Sequence, residues 1–359
     1  MNIPSHRSLL LLFVLVLLAA SPLLLSTQRK PDATDATVKA IAAAQAFLST
    51  LNEHQRKVVN VELNEDTRIR WSNLPTGIAP YPRNGMRLGD LTPAQQEAAL
   101  KLVAAPLSPE GYQKVINIVN GDEVFKTMAP SLRFRENTAP VFGRGEFYVA
   151  ILGTPSATTP WMIQLGGHHL GINITLVGSQ HVLTPSHTGA QPATYSMNGQ
   201  TIRPLGKEND KAFTLINALS AAQRKQAMLD YYVADGVLGP GHDGEVIQPE
   251  GVRAASFTER QQAMLLDLVQ EWVSIINETD AKAKMAEVKR NLADTFFAWS
   301  GPTTNGSASY FRIQGPTVEI EYAPQCVAVP CGSGKPSPDH IHTFYRDPTN
   351  DYGAKLIAR

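Results

Sequence analysis

The sequence predicts an α+β fold: antiparallel strands packed with helices, in two duplicated halves related by a pseudo-two-fold axis. Three observations lead there. Capped helix starts gather ahead of alternating, strand-like segments instead of regularly alternating with them as in a parallel sheet. One helix-opening pattern occurs four times at matched intervals: Asn52 and Ser220 are 168 residues apart, Thr92 and Thr258 are 166 apart. Each half then closes with strands and a histidine pair, His168 with His169 and His340 with His342. The expected division is a leader over residues 1–30, a first half over 31–205 and a second over 206–359.

In chain order the leader comes first. Leu9 to Leu25 is an uncharged apolar run with His6 and Arg7 before it and Arg29 and Lys30 after it, the order of an export signal. Its length is near the lower limit for crossing a bilayer, so a cleaved signal and an uncleaved membrane anchor both fit. Either way the remaining chain is expected outside the cytoplasm, periplasmic or secreted. A helix follows from Thr34 to Leu51. The repeated pattern then appears at Leu51-Asn52 to Gln55, Leu91-Thr92 to Gln95, Leu219-Ser220 to Gln223 and Phe257-Thr258 to Gln261. In each, the Asn, Thr or Ser side chain can accept a first-turn N–H, and Gln three places on returns the bond to the cap's own N–H.

Ser108 and Pro109 open another helix to Met128, and Glu278 to Trp299 reads as the last one. Strands are predicted at Glu146–Leu152, Trp161–Leu165, Leu170–Val177, Tyr310–Gln314, Thr317–Tyr322 and His340–Arg346. The stretches 179–206 and 236–252, rich in Gly and Pro, read as long loops. Cys326 and Cys331 are close enough for a short-loop disulfide in an oxidising compartment; metal ligation by the pair is the other reading.

Composition removes several function classes. With 32 Lys plus Arg against 32 Asp plus Glu there is no basic excess to hold a polyanion, which argues against nucleic acid as a partner. Two cysteines cannot build a four-cysteine zinc site. Gly239-Pro240-Gly241-His242-Asp243-Gly244 has dinucleotide-binding spacing but follows a helical segment instead of a strand. Gly332-Ser333-Gly334-Lys335-Pro336 resembles a phosphate loop, yet Pro336 stands where the hydroxyl residue belongs. Both motifs are rejected.

The histidines remain. On a strand, His340, His342, Phe344 and Arg346 share one face, and two imidazoles so placed can converge on one ion. Extending the phase of Leu170, Ile172 and Ile174 puts His168 on the apolar side and His169 on the polar side with Gly171 and Asn173. His169 is therefore the expected ligand, with His168 either a second ligand or a buried hydrogen-bonded residue. His181, His187 and His242 fall on predicted turns or loops and are ligands only if the fold brings them close. Arg346 can stabilise an anion, and Asp347, Asp351 or His168 can act as base or supporting partner. Glu319 and Glu321 share a face of the neighbouring strand, either as acid–base groups or as a solvated edge.

The chain also resembles the exported bacterial domain of unknown function 3500 family. The matching stretches are Trp71–Pro75, Leu88–Leu91, Gly153–Ser156, Gly166–Leu170, Tyr310–Pro316 and His340–Gly353, the last being the most specific. The resemblance implies one family unit after the leader and supplies no catalytic residues.

Three functions follow. The first is a metal-dependent extracytoplasmic enzyme, a hydrolase or oxidoreductase, with zinc or copper on His168, His169, His340 and His342 and with Arg346, Asp347 and Asp351 as catalytic groups. Its substrate would be a small molecule or peptide. The second is a non-catalytic zinc or copper binding protein. The third is a metal-free ligand-binding module whose cleft draws on Trp71, Trp161, Trp272 and Trp299.

Overall fold

Each of the four repeated patterns opens a helix through a complete capping box: Asn52 with Gln55, Thr92 with Gln95, Ser220 with Gln223, and Thr258 with Gln261. The boxes also pair with one another. Gln55 and Gln95 exchange amide hydrogen bonds, Gln95 donating at 3.0 Å, and Gln95 Nε2 donates to Thr50 O at 2.8 Å. Gln223 and Gln261 repeat the exchange at 3.0 Å, with Gln261 Nε2 on Ala218 O at 2.8 Å. A cap glutamine thus serves its own helix start and staples a neighbouring one.

The computed structural model describes residues 35–79, 82–129, 133, 138–326 and 335–357. Its first half runs α1 (Asp35–Thr50), α2 (Glu53–Val59), β1 (Asn60–Val61), α3 (Glu65–Arg68), β2 (Met86–Arg87), α4 (Pro93–Ala104) and α5 (Pro109–Met128). Strands follow: β3 (Tyr148–Leu152), β4 (Trp161–Gly167), β5 (Leu170–Val177), β6 (Gln180–Val182), β7 (Ser186–Ala190), β8 (Tyr195–Met197) and β9 (Gln200–Ile202). The second half runs α6 (Gly206–Ala218), α7 (Ala221–Ala227), β10 (Val252–Arg253), α8 (Glu259–Val273) and α9 (Glu278–Arg290). It ends with β11 (Phe296–Ser300), β12 (Tyr310–Gly315), β13 (Val318–Gln325), β14 (Ser337–Arg346) and α10 (Ala354–Ile357).

One sheet of 12 strands carries both halves, in the order β1-β3-β4-β5-β7-β14-β13-β12-β11-β10, with β2 on β3 and β6 on β5. All its pairings are antiparallel except β1 with β3. The α+β expectation holds. Two meanders, β3-β4-β5-β7 and β11-β12-β13-β14, meet at their last strands. The helical layer meets in the same way: Leu107 and Ile276 form an antiparallel bridge, and Ser108 N–H to Ile275 O and Asn277 N–H to Pro106 O are both 3.0 Å.

The two faces of the sheet differ. Leu165, Ile172, Ser186, Tyr345, Ile320, Ile313 and Phe297 lie in register across one face, and all but Ser186 join the main apolar core. Trp299, Phe311 and Tyr322 stack on that side at 5.9 and 4.9 Å. The other face carries Gln164, Asn173, His187, His342, Arg346, Glu319 and Arg312, all buried. Connecting segments cover it; the backbone N–H groups of Val237 and Leu238, for example, donate to Glu321.

Several expectations change. The last long helix stops at Arg290, where Asn291 closes it, and Phe296–Ser300 is strand β11. Phe297 and Trp299 alternate onto the apolar face, a period of two that a helical reading of the segment overlooked. The 179–206 stretch is not one loop: it holds β6 to β9, and β7 lies in the middle of the sheet. Glu319 and Glu321 are buried, not a solvated edge. All four tryptophans are buried, Trp71 at 3% exposure being the least enclosed, so they form core instead of an open cleft. Cys326 is disulfide-bonded, while Cys331 lies outside the described residues. So does the 9–25 run; among the described residues no helix is long and apolar enough to cross a membrane.

The cap pairing has a measurable weight. Gln95→Ala removes the return bond to Thr92 and the bonds to Thr50 and Gln55, so urea unfolding should show a loss of about 1–2 kcal/mol. Gln261→Ala should lose a similar amount.

Candidate metal centre

The β4–β5 hairpin turns on His168 and His169, and His169 takes a φ of 62°, rare for a residue with a side chain. The turn is held from outside: His169 N–H donates to Asn73 O at 3.1 Å, and Gly189 N–H donates to His169 O at 2.8 Å. It brings the two rings together instead of sending them to opposite sides as the strand phase predicted, because the positive φ of His169 breaks that phase. His168 reaches α5, where Nδ1 is 2.5 Å from Asp122 Oδ1 and the ring meets Phe125 and Phe142. His169 goes to the polar face. There it sits over Gly189, whose missing side chain is what admits the ring. A Cβ at that position would lie 2.9 Å from His169 Cδ2 and 2.8 Å from Ile341 O.

On β14, His340 and His342 face the same way. His169, His340 and His342 place one ring nitrogen each within 4.8 Å of one another, and all three are buried. His169 Nε2 and His340 Nε2 are 3.0 Å apart. His340 Nδ1 lies 2.9 Å from Cys326 O; a carbonyl only accepts, so the proton is on Nδ1 and the lone pair on Nε2 points into the cluster. His342 Nδ1 is buried without a hydrogen bond, with Asp235 Oδ1 3.6 Å away. Burial, reinforced by the neighbouring imidazoles, holds His169 and His340 well below the ordinary histidine range, so both are neutral at pH 7.

Neutral imidazoles with converging lone pairs are what a transition metal requires. Two nitrogens 2.0–2.1 Å from a tetrahedral ion are about 3.3 Å apart, so the observed separation needs only a few tenths of an ångström of adjustment. With nitrogen donors alone, the set suits zinc or copper and not magnesium or calcium, which take oxygen. His168 stands behind the cluster. Its ring lies against that of His169 at 3.7 Å between centroids, and with Asp122 it buttresses that ligand instead of joining the group of three.

The other sequence candidates lie elsewhere. Arg346 is four residues beyond His342, about 13 Å along a strand. Its guanidinium donates to Leu238 O, Gly239 O and Asp351, and it also pairs with Asp243. Asp351 accepts from Asp347 N–H, and Asp347 pairs with Lys284 at 2.5 Å. These three residues fix the 236–251 segment and the turn after β14 and are not brought to the histidines. His181 bonds Asp280 and Thr37, and exposed His242 pairs with Glu245. His187 is in neither a turn nor a loop: it is on β7, fully enclosed, with its ring 5.2 Å from that of His342. Asp122, Asp235, Asn73 and Gly189 went unread, because each acts through a contact that no local spacing encodes.

The chain belongs to the family described as Protein of unknown function (DUF3500), whose model matches residues 33–354, nearly its whole length. Neither the curated proteins nor the solved structures compared with it gave a match.

Two outcomes follow from this geometry. Gly189→Ala should drive His169 out of the cluster and lower zinc affinity by tenfold or more (roughly the range seen for disturbed ligand supports), read by competition with a chromogenic chelator. Glu319, on the same face but among Gln314, Asp351 and Arg346, is pushed up to about 7 by burial. Its folded form binds a proton more readily than its unfolded form, so it costs stability as pH rises from 4.5 through 7. Glu319→Gln should therefore be more stable than the parent at pH 8, by about 1–2 kcal/mol after allowing for its partial solvation, with the gap closing near pH 4.5. Urea melts at the two pH values measure it.

Proposed function

We propose that this member of the DUF3500 family is an exported metalloprotein. In this reading it holds one zinc or copper ion on His169, His340 and His342 and uses it to act on a small-molecule or peptide substrate. The observation that carries the reading is the convergence of three buried imidazoles, from a hairpin turn and a strand widely separated in sequence, within 4.8 Å. Three protein ligands leave a coordination position for an outside ligand, as catalytic zinc sites do, whereas a structural zinc site takes four. When bound, the ion would supply Lewis-acid or redox chemistry. The chain's own part is to hold the ligands: Cys326 O sets the His340 tautomer, and Asp122 and His168 brace His169. Arg346, Asp347 and Asp351 enter this reading as the groups that pin the covering segment. Placement outside the cytoplasm rests on the order of residues 6–30 alone.

A second reading, metal binding without turnover, draws on the burial of the ligands: His169, His340 and His342 are 2%, 6% and 6% exposed. Both readings share one test. Elemental analysis of the purified protein should find about one zinc or copper per chain, and the His340→Ala, His342→Ala double variant should lose it while keeping its circular dichroism. A parent that stays metal-free after reconstitution would sink both. Chelator-sensitive turnover in a broad screen of ester, phosphoester and phenol substrates would select the enzyme; its absence from the fully loaded protein would select the carrier.

A further inference from the structure

His187 is the most anomalous polar residue in the described structure. It has no solvent exposure, and neither ring nitrogen has a hydrogen-bond partner. The Thr343 backbone lies near enough to favour the protonated ring, but outside hydrogen-bond geometry. A buried donor or acceptor left without a partner forfeits its hydration with nothing in return, and an imidazole has two such positions. Native chains rarely leave both open unless a water, ion or ligand fills the gap.

The surroundings indicate where that partner lies. His187 is on the polar face of β7, directly opposite Phe344 and one alternation from Gly189, over which His169 sits. Its ring meets His342 at 5.2 Å and Phe344 at 4.7 Å, and it is close enough to His169 and His340 to share their electrostatics. The indole of Trp71 closes the space above Gly171 beside His187. Yet His187 does not join the three converging nitrogens. A group contacting an atom bound to the ion stands about 4–5 Å from that ion, one coordination bond plus one hydrogen bond.

We propose that His187 lines the open coordination position and hydrogen-bonds the small outside ligand that occupies it. The position then takes a compact, water-sized or triatomic ligand, held between His187 and the ion and walled by Phe344 and Trp71. This inference rests on the three-histidine metal reading, which it makes more specific. His187 is a binding residue for the outside ligand and not a fourth metal ligand.

The experiment uses the full chain reconstituted with copper(II) and titrated with azide, whose charge-transfer band reports its binding to the metal. The parent should take up one copper and bind azide saturably. His187→Ala should weaken azide by about tenfold or more while changing copper affinity by less than about threefold. His187→Gln, which keeps a donor and an acceptor, should lose less and serves if the alanine variant does not fold. Unchanged azide affinity in a folded variant would overturn the proposal. So would a parent that refuses azide while the variant loses copper and gains azide, because His187 would then be a fourth ligand. A parent that binds no copper defeats the metal reading itself and is distinguished from those outcomes before azide is added.

Discussion

The structure depends on the antiparallel ladder between β7 and β14. This pairing joins the two meanders into one sheet, and it is formed by a strand with almost no apolar side chains, Ser186-His187-Thr188-Gly189-Ala190. Its stability therefore comes from polar contacts sealed under the helices. Thr188 and Thr343 share a hydroxyl hydrogen bond at 2.7 Å, Thr343 donates to Thr188 O, and the Trp272 indole of α8 donates to Thr343 at 2.9 Å. Buried polar groups of this kind stabilise only when every member is satisfied. On the helical side of the ladder the Thr188 and Thr343 hydroxyls both have partners.

The opposite side of the same ladder carries the histidines. Pairing fixes His342 against Gly189 and Phe344 against His187, so alternate positions on two strands present imidazole, vacant space, ring and imidazole in one plane. The vacancy at Gly189 is filled from outside the ladder by His169, brought in by a hairpin turn with a strained backbone. A one-residue slip would send His187 to the helical face if β7 moved, or His340 and His342 if β14 moved. The fold's register and the site's composition are thus one constraint, which gives the threonine pairing on the far side a direct bearing on the site.

Much of this could be read from the sequence, for identifiable reasons. Asn52, Thr92, Ser220 and Thr258 act within one helical turn, so their boxes were legible as spacing. The shared facing of His340 and His342 followed from the period of a strand; the expected opposite facing of His168 and His169 did not hold, because the positive φ of His169 puts the pair in a turn and its rings in contact. What failed depends on distant partners. Strand β7 lacks the β-branched apolar run that marks a central strand; Thr343 and Trp272 bury it instead, so the whole 179–206 stretch read as loop. With β7 hidden, His187 had no face to be assigned to. Arg346 shares a strand face with His342 and looked like part of one site. Its guanidinium is instead committed to the carbonyls of Leu238 and Gly239, contacts 108 and 107 positions away that no local pattern announces.

The mirrored organisation bears on how many sites one chain can hold. Four cap boxes in two stapled pairs, two four-strand meanders and a reciprocal pair of 3.0 Å backbone bonds where the helical layers meet repeat one plan. The histidines do not follow that plan. His168 and His169 form the turn between the second and third strands of the first meander, whereas the corresponding turn of the second, between β12 and β13, holds Pro316 and Thr317. His340 and His342 sit instead on the fourth strand of the second meander. A symmetric scaffold would offer equivalent positions on both sides of the β7–β14 seam, yet its ligands come from unlike places that meet only beside that seam. The cluster is therefore an asymmetric use of the interface that the two meanders share.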